Sequence, residues 1–130
     1  MVRERALKVV MVVVGLLFLA AIYPIVMNLR AKNHAAAGDA MLFSLYFTLG
    51  IFLLLAARDP SAHRSLIAFA AWSSFAHAAV MTVQAFEFPG DRGLVGGSVA
   101  FAVIGVVLIA LSPRRAAVQG KAASPALMPR

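Results

Sequence analysis

Four runs of apolar residues, each close to the thickness of a lipid hydrocarbon core, divide this chain, and short polar loops separate them. They cover residues 9–29, 40–57, 65–86 and 93–112. A helix needs about 20 predominantly apolar residues to cross a bilayer. In lipid the backbone must satisfy its own hydrogen bonds, so only helices and closed barrels qualify, and the strict alternation of a barrel strand is missing here. The pattern predicts an all-α integral membrane protein, a four-helix up-down bundle.

Composition agrees. The chain is 62% hydrophobic and 13% charged, where a soluble domain carries about 25% charged residues. A 130-residue chain cannot hide that much apolar surface in a small core. The first apolar run exceeds the roughly 7–15 residues of a signal-peptide core, so it reads as an uncleaved first span. There is no cysteine, which excludes disulfides, thiolate metal sites and thiol catalysis within the chain.

The loops set the connections. Asp39, Asp59 and Asp91 each precede a span, and each is expected to cap a helix start, with Pro60 in a first helical turn. Short loops then give antiparallel neighbours. With both termini on one side, that side holds Arg3, Arg5, Lys8, Arg58, Arg64, Arg114, Arg115, Lys121 and Arg130, against Arg30, Lys32 and Arg92 on the other. The positive-inside rule places the richer side, and both termini, in the cytoplasm, which makes this a multi-pass protein of the inner membrane. Arg3, Arg5, Lys8, Arg58, Arg64, Arg114 and Arg115 would then face lipid headgroups. That role accounts for the net charge of +7 without nucleic acid, since basic charge alone reads no groove. Residues 113–130 are rich in Ala, Pro and basic side chains, a composition that predicts a cytoplasmic tail with no independent fold.

Chemistry, if any, belongs to the third span, the only one with an ionisable group near its middle. At 3.6 residues per turn, His63, Ser74, His77, Met81 and Gln84 share one side, with Ser73 at its margin and Ala70 allowing a close neighbour. Polar groups in hydrocarbon are costly, so this stripe should face the bundle interior. An intramembrane imidazole could ligate haem, hydrogen-bond a quinone carbonyl or relay protons. It could equally tie helices together by bonding Ser44, Tyr46 or Thr48 of the second span, or Tyr23 or Asn28 of the first. The expected polar core is therefore His77, Ser73, Ser74, Gln84, Tyr46 and Thr48. His63 lies about 21 Å from His77 along a helix, so the two cannot clamp one haem. Trp72 points the opposite way, toward lipid or a partner. Pro24 should bend the first helix. Gly93-Leu-Val-Gly-Gly97 permits close helix packing, which makes Gly93 and Gly97 interface candidates.

No nucleophile–base set, P-loop, dinucleotide fingerprint or carboxylate pair is visible, and no catalytic residue, metal ligand or resident cofactor is expected. The leading expectation is a non-enzymatic accessory or assembly subunit that meets other membrane subunits or a second copy of itself. The alternative is a quinone- or haem-binding module using His77. Passage of a small solute through the bundle comes third.

A resemblance extends this reading. Through Arg58-Asp-Pro-Ser-Ala-His-Arg-Ser-Leu-Ile67 and Ala71-Trp-Ser-Ser-Phe-Ala-His77, the chain resembles a family of small bacterial four-helix membrane proteins, a domain of unknown function. Arg3-Glu-Arg-Ala-Leu-Lys8 and Met41-Leu-Phe-Ser-Leu-Tyr46 fit it too, and the likeness runs to about Ser112. It implies the topology and no activity. In layout the chain is also similar to the DoxX-type four-helix proteins, some of them linked to quinone-dependent redox complexes, an analogy of architecture alone.

Overall fold

The computed structural model describes residues 2–114. Five helices make four rods: α1 (Val2–Leu19), α2 (Ile22–Ala31), α3 (His34–Ala56), α4 (Arg64–Glu87) and α5 (Arg92–Leu111). A short 3₁₀ turn, Pro60–His63, leads into α4. Val2–Ala31, His34–Ala56, Pro60–Glu87 and Arg92–Leu111 are each long and apolar enough to cross a membrane. No strand occurs among the described residues. Arg115, Lys121, Arg130 and the expected tail from residue 115 onward lie outside them.

The first rod is broken where Pro24 requires it. A proline has no N–H and its ring collides with the carbonyl four residues back, here that of Ala20. The chain responds one turn early. Ala21 N–H donates to the Phe18 carbonyl at 3.0 Å, and Tyr23 N–H takes the Ala20 carbonyl at 3.1 Å. Both are three-residue steps, so α1 ends at Leu19 and α2 resumes at Ile22.

The second rod begins earlier than its apolar run. Asn33 caps α3, its Oδ1 accepting from Ala36 N–H at 2.7 Å. Asp39, expected as the cap, lies inside the helix instead. Ala35, Ala36 and Ala37 are strong helix formers, and they carry α3 back to a cap six residues before Asp39. The link from α2 is only Lys32 and Asn33, and Lys32 sits in the left-handed region with φ 53°. The other two caps follow expectation. Asp59 Oδ1 accepts from Ser61 Oγ (2.6 Å) and Ala62 N–H (3.3 Å), and Asp91 Oδ1 accepts from Gly93 N–H (2.9 Å). The Asp59 carboxyl is held below the usual carboxylate range, first by the Ser61 hydroxyl and then by the Ala62 N–H.

Packing runs as two hairpins. α1 and α2 lie along α3, α4 lies along α5, and lesser α1–α5 and α3–α4 contacts join the pairs. In the first hairpin two glycines let the backbones touch. A Cβ on Gly50 would stand 2.7 Å from the Gly15 carbonyl oxygen and 3.0 Å from Leu19 N. In the second, a Cβ on Gly105 would stand 3.0 Å from the Ala71 carbonyl.

The core occupies one end. Leu7, Met11, Val14 and Phe18 of α1 meet Tyr46, Leu49 and Leu53 of α3, Ile67, Ala70 and Ala71 of α4, and Leu108 of α5. This is the end that holds the first and last described residues and the α3–α4 connection. Toward the opposite, hairpin-loop end the buried apolar residues are Ala21, Ala36, Ala40 and Ala78. The outer faces carry bare apolar side chains such as Phe69 and Trp72, 63% and 65% exposed, as expected where lipid replaces water.

Candidate functional site

Where the large-residue core gives way to alanines, four rings meet, one from each rod: Phe18, Tyr46, His77 and Phe101. His77 lies 4.3 Å from Phe101 and 5.2 Å from Tyr46, ring centre to ring centre, the latter edge-on at 74°. Phe18 meets Tyr46 at 5.0 Å and Phe101 at 6.0 Å, and Tyr46 meets Phe101 at 5.3 Å. Each contact is within the 4.5–7 Å or so at which aromatic rings attract, or just inside it. The set borders a cavity of about 340 Å³, whose other walls are Leu17, Ala20, Ala21, Pro24, Phe43, Ala100 and Ile104. The broken turn of the first rod is thus one wall of the cavity.

The polar atoms here are few and uncommitted. Among the described residues, no side-chain hydrogen bond engages the His77 imidazole or the Tyr46 hydroxyl, and the only fully buried side-chain polar atom without a partner is Arg64 Nε, at the far end. The expected helix ties are absent for a simple reason. Ser44 donates to the Met41 carbonyl, Thr48 to Ser44, and Ser73 and Ser74 both to Ala70. Each of these hydroxyls is satisfied one turn back on its own helix, as Ser and Thr in apolar helices commonly are.

Of the six residues expected in the polar core, the structure brings Tyr46 and His77 together. Ser74 is buried against its own helix. Tyr46, Thr48 and Ser73 share a second hollow, a groove of about 420 Å³ between α3 and α4 walled mainly by Leu42, Leu45, Leu49, Phe52, Leu66 and Phe69. Gln84 is exposed near the hairpin-loop end of α4 and is not part of the set. His63 is exposed in the 3₁₀ turn, with Nδ1 2.9 Å from the Asp59 carbonyl. Tyr23 is exposed on α2. Met81 packs against Gly97, where a Cβ would run into its methyl group, so Gly97 serves the α4–α5 contact. Gly93 faces only its own cap, Asp91. Trp72 points outward and stacks edge-on with Phe75 at 5.6 Å.

Three features escape a sequence reading. Phe18 and Phe101 complete the ring set, and nothing in their spacing marks them among many apolar neighbours. The third is the tie that does join two rods. Thr82 donates to the Ala78 carbonyl (2.7 Å), and the Ser98 hydroxyl lies 2.6 Å from Thr82 Oγ1 and 3.1 Å from the same carbonyl. Thr82 lies one turn beyond His77, next to the stripe that drew attention.

At the terminal end, Arg3, Arg5, Lys8, Arg58, Arg64 and Arg114 gather by topology. Arg3 donates through Nη2 to the Ala110 and Ser112 carbonyls (3.0 and 2.9 Å), closing the C-terminus of α5. Lys8 pairs with Glu4 at 3.3 Å. No group of three or more metal-ligating side chains occurs among the described residues.

A family model matches residues 2–127, nearly the whole chain. The protein belongs to a family of unknown function, DUF6632. The match runs past Ser112, so most of the basic tail is part of the family's length and not an addition to it. No curated protein and no solved structure matches the chain.

Proposed function

We propose that this member of DUF6632 is a non-enzymatic membrane protein that binds one lipophilic molecule with a carbonyl head, of the quinone class, in the cavity beside Pro24. The observation that carries this reading is the pairing of His77 with Tyr46. Two hydrogen-bonding groups without protein partners face an apolar cavity midway along the bundle. An unpaired polar group in that setting costs free energy until a ligand satisfies it. Neutral imidazole offers one N–H donor and one acceptor, and the phenol one O–H, which suits a ring carbonyl held between aromatic faces. Haem is less well served, because no second imidazole stands at the level of His77: His34, on the facing α3, lies about 18 Å along that helix from Tyr46. The basic residues favour a bacterial inner membrane with both termini in the cytoplasm.

Binding of a short-chain quinone to the purified protein in detergent tests the reading. The expected result is saturable uptake that weakens about tenfold in His77→Ala, the scale of one lost hydrogen bond near 1.4 kcal/mol, and less in Tyr46→Phe. Uptake that is absent, or equal in wild type and both variants, overturns it.

The outward face of α5 favours a second role, that of an accessory subunit. Val95, Val99, Val103 and Val106 are exposed along it, and a Cβ on Gly96 would meet nothing within 4 Å. Valine is nearly fixed in a helix, so such a face loses little side-chain entropy on docking. A photocrosslinker at Val99 should capture a specific membrane protein in native membranes, and one at Val80 should not. The same pattern from both positions would remove this role.

A further inference from the structure

The terminal end of the bundle carries a second site, separate from the His77 cavity and independent of what that cavity holds. A hollow of about 380 Å³ runs down the outside between α4 and α5. Arg3 and Arg114 form its mouth, together with Ser112 and Pro113, and Ile67, Ala68, Leu108, Ile109 and Trp72 form its walls. The same two arginines border a neighbouring hollow of about 290 Å³ with Pro60 and Ser61.

Three properties converge on one kind of occupant. The first is charge. The only ion pair among the described residues joins Lys8 to Glu4, so although Glu4 also borders the neighbouring hollow, neither arginine at the mouth is paired with a carboxylate among those residues. The second is preorganisation. Arg3 is anchored by two bonds from Nη2 to the end of α5, which leaves Nε and Nη1 for a ligand and lowers the entropy cost of binding one. Guanidinium donors match phosphate oxygens in geometry. The third is depth. Trp72 lies eight residues into α4 from Arg64, about 12 Å along the axis. A molecule with its phosphate at the mouth would therefore lay one acyl chain along the indole, below the level of its headgroup.

We infer that Arg3, Arg114 and Trp72 form a binding site for a single anionic glycerophospholipid, its phosphate between the two guanidinium groups and one acyl chain along the α4–α5 hollow.

Trp72 is the only tryptophan in the chain, so it reports on its own site. The full chain is reconstituted in phosphatidylcholine vesicles containing a small fraction of either phosphatidylglycerol or phosphatidylcholine with brominated acyl chains, which quench indole fluorescence on contact. The expected result is stronger quenching by the anionic lipid, with a preference on the order of thirtyfold for two arginines and about fivefold when one remains. Arg114→Gln should reduce the preference and Arg3→Gln/Arg114→Gln should abolish it. Arg5→Gln, outside the hollow, should leave it intact. Because Arg3 also closes α5, Arg114→Gln alone is decisive if the double variant does not fold. Equal quenching by both lipids, or a preference unchanged in Arg114→Gln, overturns the site. Loss of the preference on adding millimolar inorganic phosphate at constant ionic strength would show that a free anion is the occupant, and would overturn it as well.

Discussion

The two ends of the bundle are built from different stock. At the terminal end, Leu7, Met11, Leu53, Ile67 and Leu108 are fully enclosed. Beyond the ring of Phe18, Tyr46, His77 and Phe101, only alanines are buried among the apolar residues. In water, a poorly filled end would be drawn shut by the hydrophobic effect. In lipid that force is absent between helices, and side-chain fit and hydrogen bonds decide how closely they approach. The difference teaches that a cavity in such a bundle needs no special scaffold. It forms where residue size falls and where a proline has broken the wall.

Substitutions can break that contrast, and the largest effect belongs to the filled end. Leu53→Ala should cost about 2–5 kcal/mol of stability, read as a drop in the unfolding midpoint in detergent. Ala78→Gly, at the thin end, should cost only about 1 kcal/mol, the helix-propensity difference. Equal losses would show that the ends are not distinct. Gly50→Ala comes next. Its new methyl meets rigid backbone of α1, so overpacking of about 1–3 kcal/mol is expected by the same measurement. A neutral result would mean that α1 and α3 do not touch there.

At the thin end, Lys32→Gly should stabilise by up to about 1 kcal/mol, because glycine enters the left-handed region without the penalty a side chain brings. An unchanged midpoint would deny strain in that two-residue link. The smallest effect concerns the fully exposed Asp59. Its carboxyl is held below its ordinary value near 3.8, so the ionised form supports the native state. That support is complete at neutral pH. It fades as pH falls below the ordinary value and through the lowered one. The stability difference between wild type and Asp59→Ala should therefore be flat from pH 7 to about 5 and shrink below about 4. A difference that instead grows in acid would reverse the assignment.

The four rods were legible from run length alone, because crossing a membrane is a constraint on length and polarity that no neighbour can override. Their ends were less so. Asp39 read as a cap, yet Asn33 and the alanines after it outcompete it. The interior was least legible. Helical period put His77 on an inward face but could not say what stands opposite, since that depends on how four helices rotate and cross. Ser44 and Thr48 looked like partners for the imidazole, and Ser73 and Ser74 like polar neighbours on its own stripe, yet each is already satisfied within its own turn. Phe18 and Phe101 came into view only with the rods in place.

The alanines at the hairpin-loop end have a mechanical consequence. An alanine has no χ1 to unlock, so the first rod and α3, whose buried apolar residues there are Ala21, Ala36 and Ala40, have no buried rotamer to change if they shift. The hydrogen bonds of Thr82 and Ser98, by contrast, pin α4 to α5. At the other end, interdigitated Leu, Met and Ile resist the same shear. The bundle is thus stiff against shear at one end and, between the first rod and α3, smooth at the other.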